Sequence, residues 1–146
     1  MVKSLLRNTC LAFAALAAMA VGIAASPAQA QPASEQDACF ALMEARRNLV
    51  DMLIETDKAT LDDLKDKVHA ASARLDNLLM GMEMSMNAAT AQKAADFKAV
   101  WEEFKNTRET AIIPALYGGW PDEAKALANG IQAERVKKMK TTMGCQ

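Results

Sequence analysis

Between Ala33 and Ile113 there is no proline, and between Gln31 and Met80 there is no glycine. Proline removes a backbone donor and clashes with the preceding turn, and glycine costs about 1 kcal/mol relative to alanine inside a helix. A stretch free of both, dominated by Ala, Leu, Met, Lys and Glu and sparse in β-branched residues, favours helix almost throughout. Nothing alternates with period two for long enough to suggest a sheet. The expected fold class is all-α.

Four helices are expected. The first covers about 34–55, with Ser34 as its N-cap and Cys39, Leu42, Leu49 and Leu53 in a 3-4 stripe that includes Arg46. The second starts at Thr60, with Asp63 in a capping-box position. It carries Leu61, Leu64, Val68, Ala71, Leu75, Leu78 and Met82 at heptad spacing. The third runs from 87 or 90 to 117 on Phe97, Trp101, Phe104, Ala111 and Ala115, with Arg108 in register. Pro114 predicts a kink or an early end near Ile113. Gly118-Gly119 stops it. The fourth opens at Trp120-Pro121, with Asp122 and Glu123 at the positive end of the helix dipole. It carries Ala124, Leu127, Ile131, Val136, Met139 and Met143. Short connections between long helices favour antiparallel up-down-up-down packing as a four-helix bundle.

Residues 1–30 read as a cleavable signal peptide: Lys3 and Arg7, an apolar run over 11–23, and the small-x-small site Ala28-Gln29-Ala30, with cleavage after Ala30. The rival, an uncleaved anchor, is disfavoured because the apolar run falls short of the ~20 residues that span a bilayer. The remaining 31–146 is expected to be a single domain in the periplasm. Loss of Lys3 and Arg7 takes the formal charge from −1 to −3, which argues for neither nucleic acid nor an anionic membrane surface.

Export leaves Cys39 and Cys145 in an oxidising compartment, where such cysteines usually pair. Up-down-up-down packing brings the start of the first helix and the end of the fourth to one pole, so a Cys39–Cys145 bridge is expected. The rival is two free thiols serving a metal or redox site.

The most unusual segment is Met80-Gly81-Met82-Glu83-Met84-Ser85-Met86. Thioether sulfur is a soft ligand that selects Cu(I), and the topology puts Met43, Met139 and Met143 at the same pole. The competing reading is methionine as adaptable filler or surface. As a helix, the segment points Met80 and Met84 one way and Met82 and Met86 elsewhere. His69 is the sole histidine, too few for a zinc site or a triad. Residues 31–146 contain no C-x-x-C-H, and the fourth helix has no histidine, so haem is not expected. Arg46 and Arg108 interrupt apolar stripes and need anionic partners: a carboxylate such as Glu103 or Asp51, or a small anionic ligand held between helices. Arg47 and Arg135 are expected to be solvated. Activated serine, Cys–His pair, phosphate loop and His/carboxylate cluster are all missing, so an enzyme is not expected.

Trp101-Glu102-Glu103-Phe104, Arg108 and Ala111-Ile112-Ile113 lead to Gly118-Gly119. After them come Asp122-Glu123-Ala124, Leu127, Gly130 and Gln132-Ala133-Glu134-Arg135. This second half resembles the periplasmic four-helix-bundle sensor module of methyl-accepting chemotaxis proteins. Such receptors flank the bundle with membrane helices and a cytoplasmic signalling rod, neither of which is expected here. The resemblance therefore implies a free-standing bundle whose Cys39–Cys145 bridge replaces the membrane as the clamp on its termini. It would bind a small molecule, dock on a protein partner or form a homodimer. The leading expectation is a soluble periplasmic binding or sensory accessory module using Arg46 and Arg108. The alternatives are a Cu(I)-binding protein using the methionines, and a helical adaptor that docks through its methionine-rich end.

Overall fold

The computed structural model describes residues 33–146; the leader features at 1–30 lie outside the described residues. Every regular element within them is helical: α1 (Glu35–Met52), α2 (Lys58–Glu83), α3 (Ala88–Thr107), a π-helical turn (Arg108–Ile112), α4 (Ile113–Tyr117), α5 (Pro121–Asn129) and α6 (Ile131–Met143). α3, the π turn and α4 run on without a break, and only Gly130 separates α5 from α6, so these segments make up four helices. None of the helices described is long and apolar enough to cross a membrane.

Side-chain caps set where the first three begin. The Ser34 hydroxyl accepts the Asp37 N–H at 3.1 Å, and the Asp37 carboxylate accepts the Ser34 N–H at 3.3 Å, closing a capping box at the head of α1. α2 starts earlier than expected. Asp57 is its N-cap and accepts the Thr60 N–H at 2.9 Å, so Thr60 is a donor within the first turn rather than the cap itself. Asn87 caps α3 by accepting from Ala89 and Thr90.

Pro114 does not end the third helix. Its ring would press on the carbonyl four residues back in a regular α-helix. The backbone widens into the π turn just before it, with Ile113 N–H donating to Arg108 C=O, and then resumes as α4. The fourth helix, expected to be continuous, breaks at Gly130. A Cβ there would meet the Ala126 carbonyl oxygen at 3.0 Å, which explains glycine at this position. The break also shifts the helical phase. Ile131, expected in the core, is exposed, and Gln132 is buried instead, donating to Phe104 C=O at 2.8 Å.

The core is filled by Trp101, Phe97 and Phe104 together with Leu42, Leu75, Leu79 and four methionines, Met52, Met82, Met139 and Met143. Trp101 and Phe104 stack at 5.3 Å between centroids. Trp101 Nε1 donates to Asp76 at 2.7 Å, so the one polar atom of the buried ring is satisfied. α1 packs on α2 and on α6, and α3 packs on α2 and on α6, a closed circuit of neighbours.

α6 ends at Gly144, whose φ of 73° lets Cys145 N–H fold back onto Lys140 C=O at 2.9 Å. That turn delivers Cys145 to Cys39 on α1, and the two form a disulfide with Cα atoms 5.6 Å apart across a sequence separation of 106. Replacing both cysteines by serine is expected to lower the unfolding free energy by about 4–5 kcal/mol, read as a fall in the urea midpoint. An unchanged midpoint would show that the link constrains nothing in the unfolded chain.

Candidate functional site

Arg108 opens the π turn and is buried. Its Nη1 donates to Ser72 Oγ at 2.8 Å and its Nε to Glu109 Oε1 at 2.7 Å, while the guanidinium carbon lies 5.8 Å from the centroid of the Trp101 ring. Ser72 in turn donates to Val68 C=O at 2.7 Å. Glu109 also faces His69 Nε2 at 3.2 Å. Partial burial works against the charged form of Glu109, but Arg108 and then His69 outweigh it and hold the carboxyl below its usual range. Glu103, one of the two carboxylates anticipated as partners for Arg46 and Arg108, accepts from Arg135 Nε at 3.3 Å instead. Helical spacing passes over adjacent residues, yet an arginine Nε close to the backbone reaches its neighbour readily. The donors of Arg108 are thus directed inward, joining α2 to the π turn.

Arg46 occupies a different setting. It is half-exposed on α1, beside Lys137 and Lys140 of α6, where it helps line a hollow of about 520 Å³ next to Cys145. Among the described residues neither Arg46 nor Arg47 has a carboxylate within ion-pairing distance. Asp51, the other anticipated partner, lies in a separate hollow between α1 and α2 with Arg47, Lys67 and Arg74.

A groove of about 700 Å³ lies on the outer face of α1, lined by Phe40, Met43 and Val50 and by Glu44, Arg46, Arg47 and Arg74. Phe40 is 62% exposed and Ile54, just past the end of the helix, 76%. Glu44 takes Arg74 at 3.5 Å, which leaves Arg46 and Arg47 as the uncompensated cations of the groove. The sequence expectation did not include this face, because a buried stripe on α1 already accounts for packing against the core. The signal was present: Phe40, Met43, Val50 and Ile54 repeat the 3-4 spacing one position after Cys39, Leu42, Leu49 and Leu53, more apolar surface than one buried face requires.

The seven methionines proposed as one metal-binding pole divide among three environments. Met82, Met139 and Met143 are core; Met80, Met84 and Met86 are exposed around the end of α2; Met43 lies in the α1 groove.

A second polar cluster joins α2 to α4. The Tyr117 hydroxyl donates to Asp62, with Lys58 and Lys65 near the ring face at 5.2 and 5.3 Å. Burial and then the Asp62 carboxylate push Tyr117 from its ordinary 10.0 up to about 12. The folded state favours the neutral phenol, so this contribution to stability is intact below pH 10 and is lost as pH rises through about 12. Tyr117 is the only tyrosine, so phenolate absorbance reports it alone. Its midpoint in the folded protein is expected near 12, falling towards the ordinary value in Asp62→Asn; an ordinary midpoint in the unmodified protein would mean the pair does not form.

Truncating Arg108 to alanine empties a buried site beside Trp101 and is expected to cost roughly 2–4 kcal/mol in chemical denaturation. Arg108→Lys keeps the charge but loses the planar fork, and should fall between. Comparison of the chain with protein families, curated proteins and solved structures finds no match.

Proposed function

We propose that this chain is an exported, non-catalytic binding or sensory accessory module, built as an antiparallel up-down-up-down four-helix bundle, whose working surface is the outer face of α1. The observation that carries this reading is the α1 groove, where Arg46 and Arg47 stand without carboxylate partners among the described residues beside exposed Phe40, Met43 and Val50. Exposed apolar surface rimmed by charge marks interaction sites. A compact anion with an apolar body meets its demands: guanidinium groups recognise a carboxylate, and the hydrocarbon part rests on the aromatic and aliphatic wall. A protein partner presenting acidic and apolar side chains meets the same demands.

The bundle topology is supported by the order of contacts between helices. Along α2, Asp62, His69, Ser72, Asp76 and Glu83 pair in turn with Tyr117, Glu109, Arg108, Lys105 and Lys98, a series that descends as the first ascends. Export to the periplasm is supported by the leader pattern of residues 1–30 and by the disulfide, which an oxidising compartment sustains. The resemblance of the second half to chemoreceptor sensor bundles supports a sensory role in the same compartment.

One observation favours copper as a second reading. Met80, Met84 and Met86 all stand exposed within seven residues, leaving soft sulfur available to Cu(I). The same patch would serve the helical adaptor reading as a docking surface. Titration with Cu(I) against a competing chelator tests the metal: the triple variant Met80→Leu, Met84→Leu, Met86→Leu should lose any binding the parent shows, and a parent that does not compete with the chelator ends this reading.

For the α1 groove the probe is octanoate, with 1-octanol as its uncharged counterpart. Octanoate is expected to raise the melting temperature, 1-octanol to do so less, and Arg46→Ala/Arg47→Ala to abolish the difference. An equal response in the double variant would remove these arginines from the site.

A further inference from the structure

We propose that the Cys39–Cys145 disulfide is a thiol–disulfide exchange site for small thiols that carry negative charge, reached through the cationic hollow between α1 and α6. The proposal stands apart from the α1 groove and does not depend on it.

The two half-cystines differ in access. Cys39 lies within α1 and is 6% exposed, whereas Cys145 is half-buried, follows the turn at Gly144 and lines the hollow of about 520 Å³. Exchange starts at the sulfur a thiolate can reach, so Cys145 is the end that is attacked. Arg46, Lys137 and Lys140 line the same hollow, and among the described residues none of its lining is acidic. Nor does any of the three have a carboxylate within ion-pairing distance among those residues. The negative end of the α6 dipole is partly met, since Gly144 and Cys145 N–H donate to the Thr141 and Lys140 carbonyls at 3.3 and 2.9 Å.

Unpaired cations around a disulfide act in two ways. They concentrate an anionic nucleophile. They also stabilise the departing thiolate, and a better leaving group leaves faster. The incoming thiolate forms an S–S bond to Cys145 Sγ and the Cys39–Cys145 bond breaks. Its electron pair leaves on Cys39 Sγ, which takes up the proton that the incoming thiol released to solvent. A second thiolate then attacks the small molecule's sulfur and releases Cys145 as a thiolate, which is protonated in turn. Two small thiols become one small disulfide and the protein gains two thiols. This stoichiometric two-electron exchange runs backward with an anionic disulfide as oxidant. The chain as a whole carries a net charge of −1, so its overall field repels anionic thiols, and a preference for them must arise locally.

Reduction rates of the oxidised full chain, expressed in a bacterial host, test this, with the new thiols counted by alkylation and mass. The probes are 2-mercaptoethanesulfonate, 2-mercaptoethanol and cysteamine, each rate divided by the same thiol's rate on the neutral disulfide of 2-mercaptoethanol. At low ionic strength the sulfonate is expected to lead cysteamine by about tenfold, with 2-mercaptoethanol between, and salt at about 1 M should level them. Lys137→Glu/Lys140→Glu should erase or reverse the order. Lys125→Glu/Lys138→Glu, the same change of net charge outside the lining of the hollow, should keep it. Thermal melts of the oxidised variants verify folding. Arg46, shared with the α1 groove, stays intact, so the outcome is independent of octanoate binding there. Equal normalised rates in the parent, or cysteamine ahead, would overturn the proposal. So would a control variant that loses the order as fully as the hollow variant, or a disulfide that none of the three thiols reduces in the folded protein.

Discussion

The link between Cys39 and Cys145 sets the rotation of α1, and much else follows from it. A disulfide demands that Cys39 face α6, and Gly144, in the left-handed region, turns the chain end to meet it. With that phase set, Leu42, Leu49 and Leu53 must enter the core. The residues one step further along, Phe40, Met43, Val50 and Ile54, must stand outside. A helix that slides or rolls in its groove would average these two apolar stripes. A helix clamped at one end keeps them distinct, and the outward one becomes a surface with a defined pattern.

The interior beneath α1 supports this by stiffness rather than by chemistry. Trp101 is stacked on Phe104 and bonded to Asp76, and Arg108 spans from Ser72 to Glu109 beneath the same ring. An arginine so placed is tolerated because Glu109 lies partly in solvent and Ser72 offers its oxygen, which offsets much of the desolvation cost. The π turn that carries Arg108 is the helix's accommodation of Pro114, so a local backbone constraint and a buried cation are solved together.

The helical class, the cap at Ser34 and the Cys39–Cys145 pairing were legible in the sequence, because capping chemistry and cysteine pairing are local or combinatorial rules. The start of α2 was misread by three residues, since Asp57 and Thr60 are both good caps and only packing chooses between them. The π turn and the break at Gly130 left no periodic signature; each shifts the helical phase, which is why Gln132 rather than Ile131 is buried. The different burial of the methionines was hidden for a similar reason. Residue type marks a soft ligand and an adaptable core filler alike, and Met82, Met139 and Met143 are core. Of the two arginines singled out, Arg46 lines the groove and Arg108 does not, a difference of helix environment that stripe membership could not express.

The central claim is that a clamped α1 presents its outer stripe as a binding surface. Hydroxyl-radical footprinting read on the methionines tests it most directly, because the same chain carries exposed, buried and groove thioethers. Met84 and Met86 should oxidise readily whether or not octanoate is present and Met139 and Met143 slowly, while Met43 becomes protected as octanoate is added. Met43 oxidised at the same rate with and without octanoate would contradict the account.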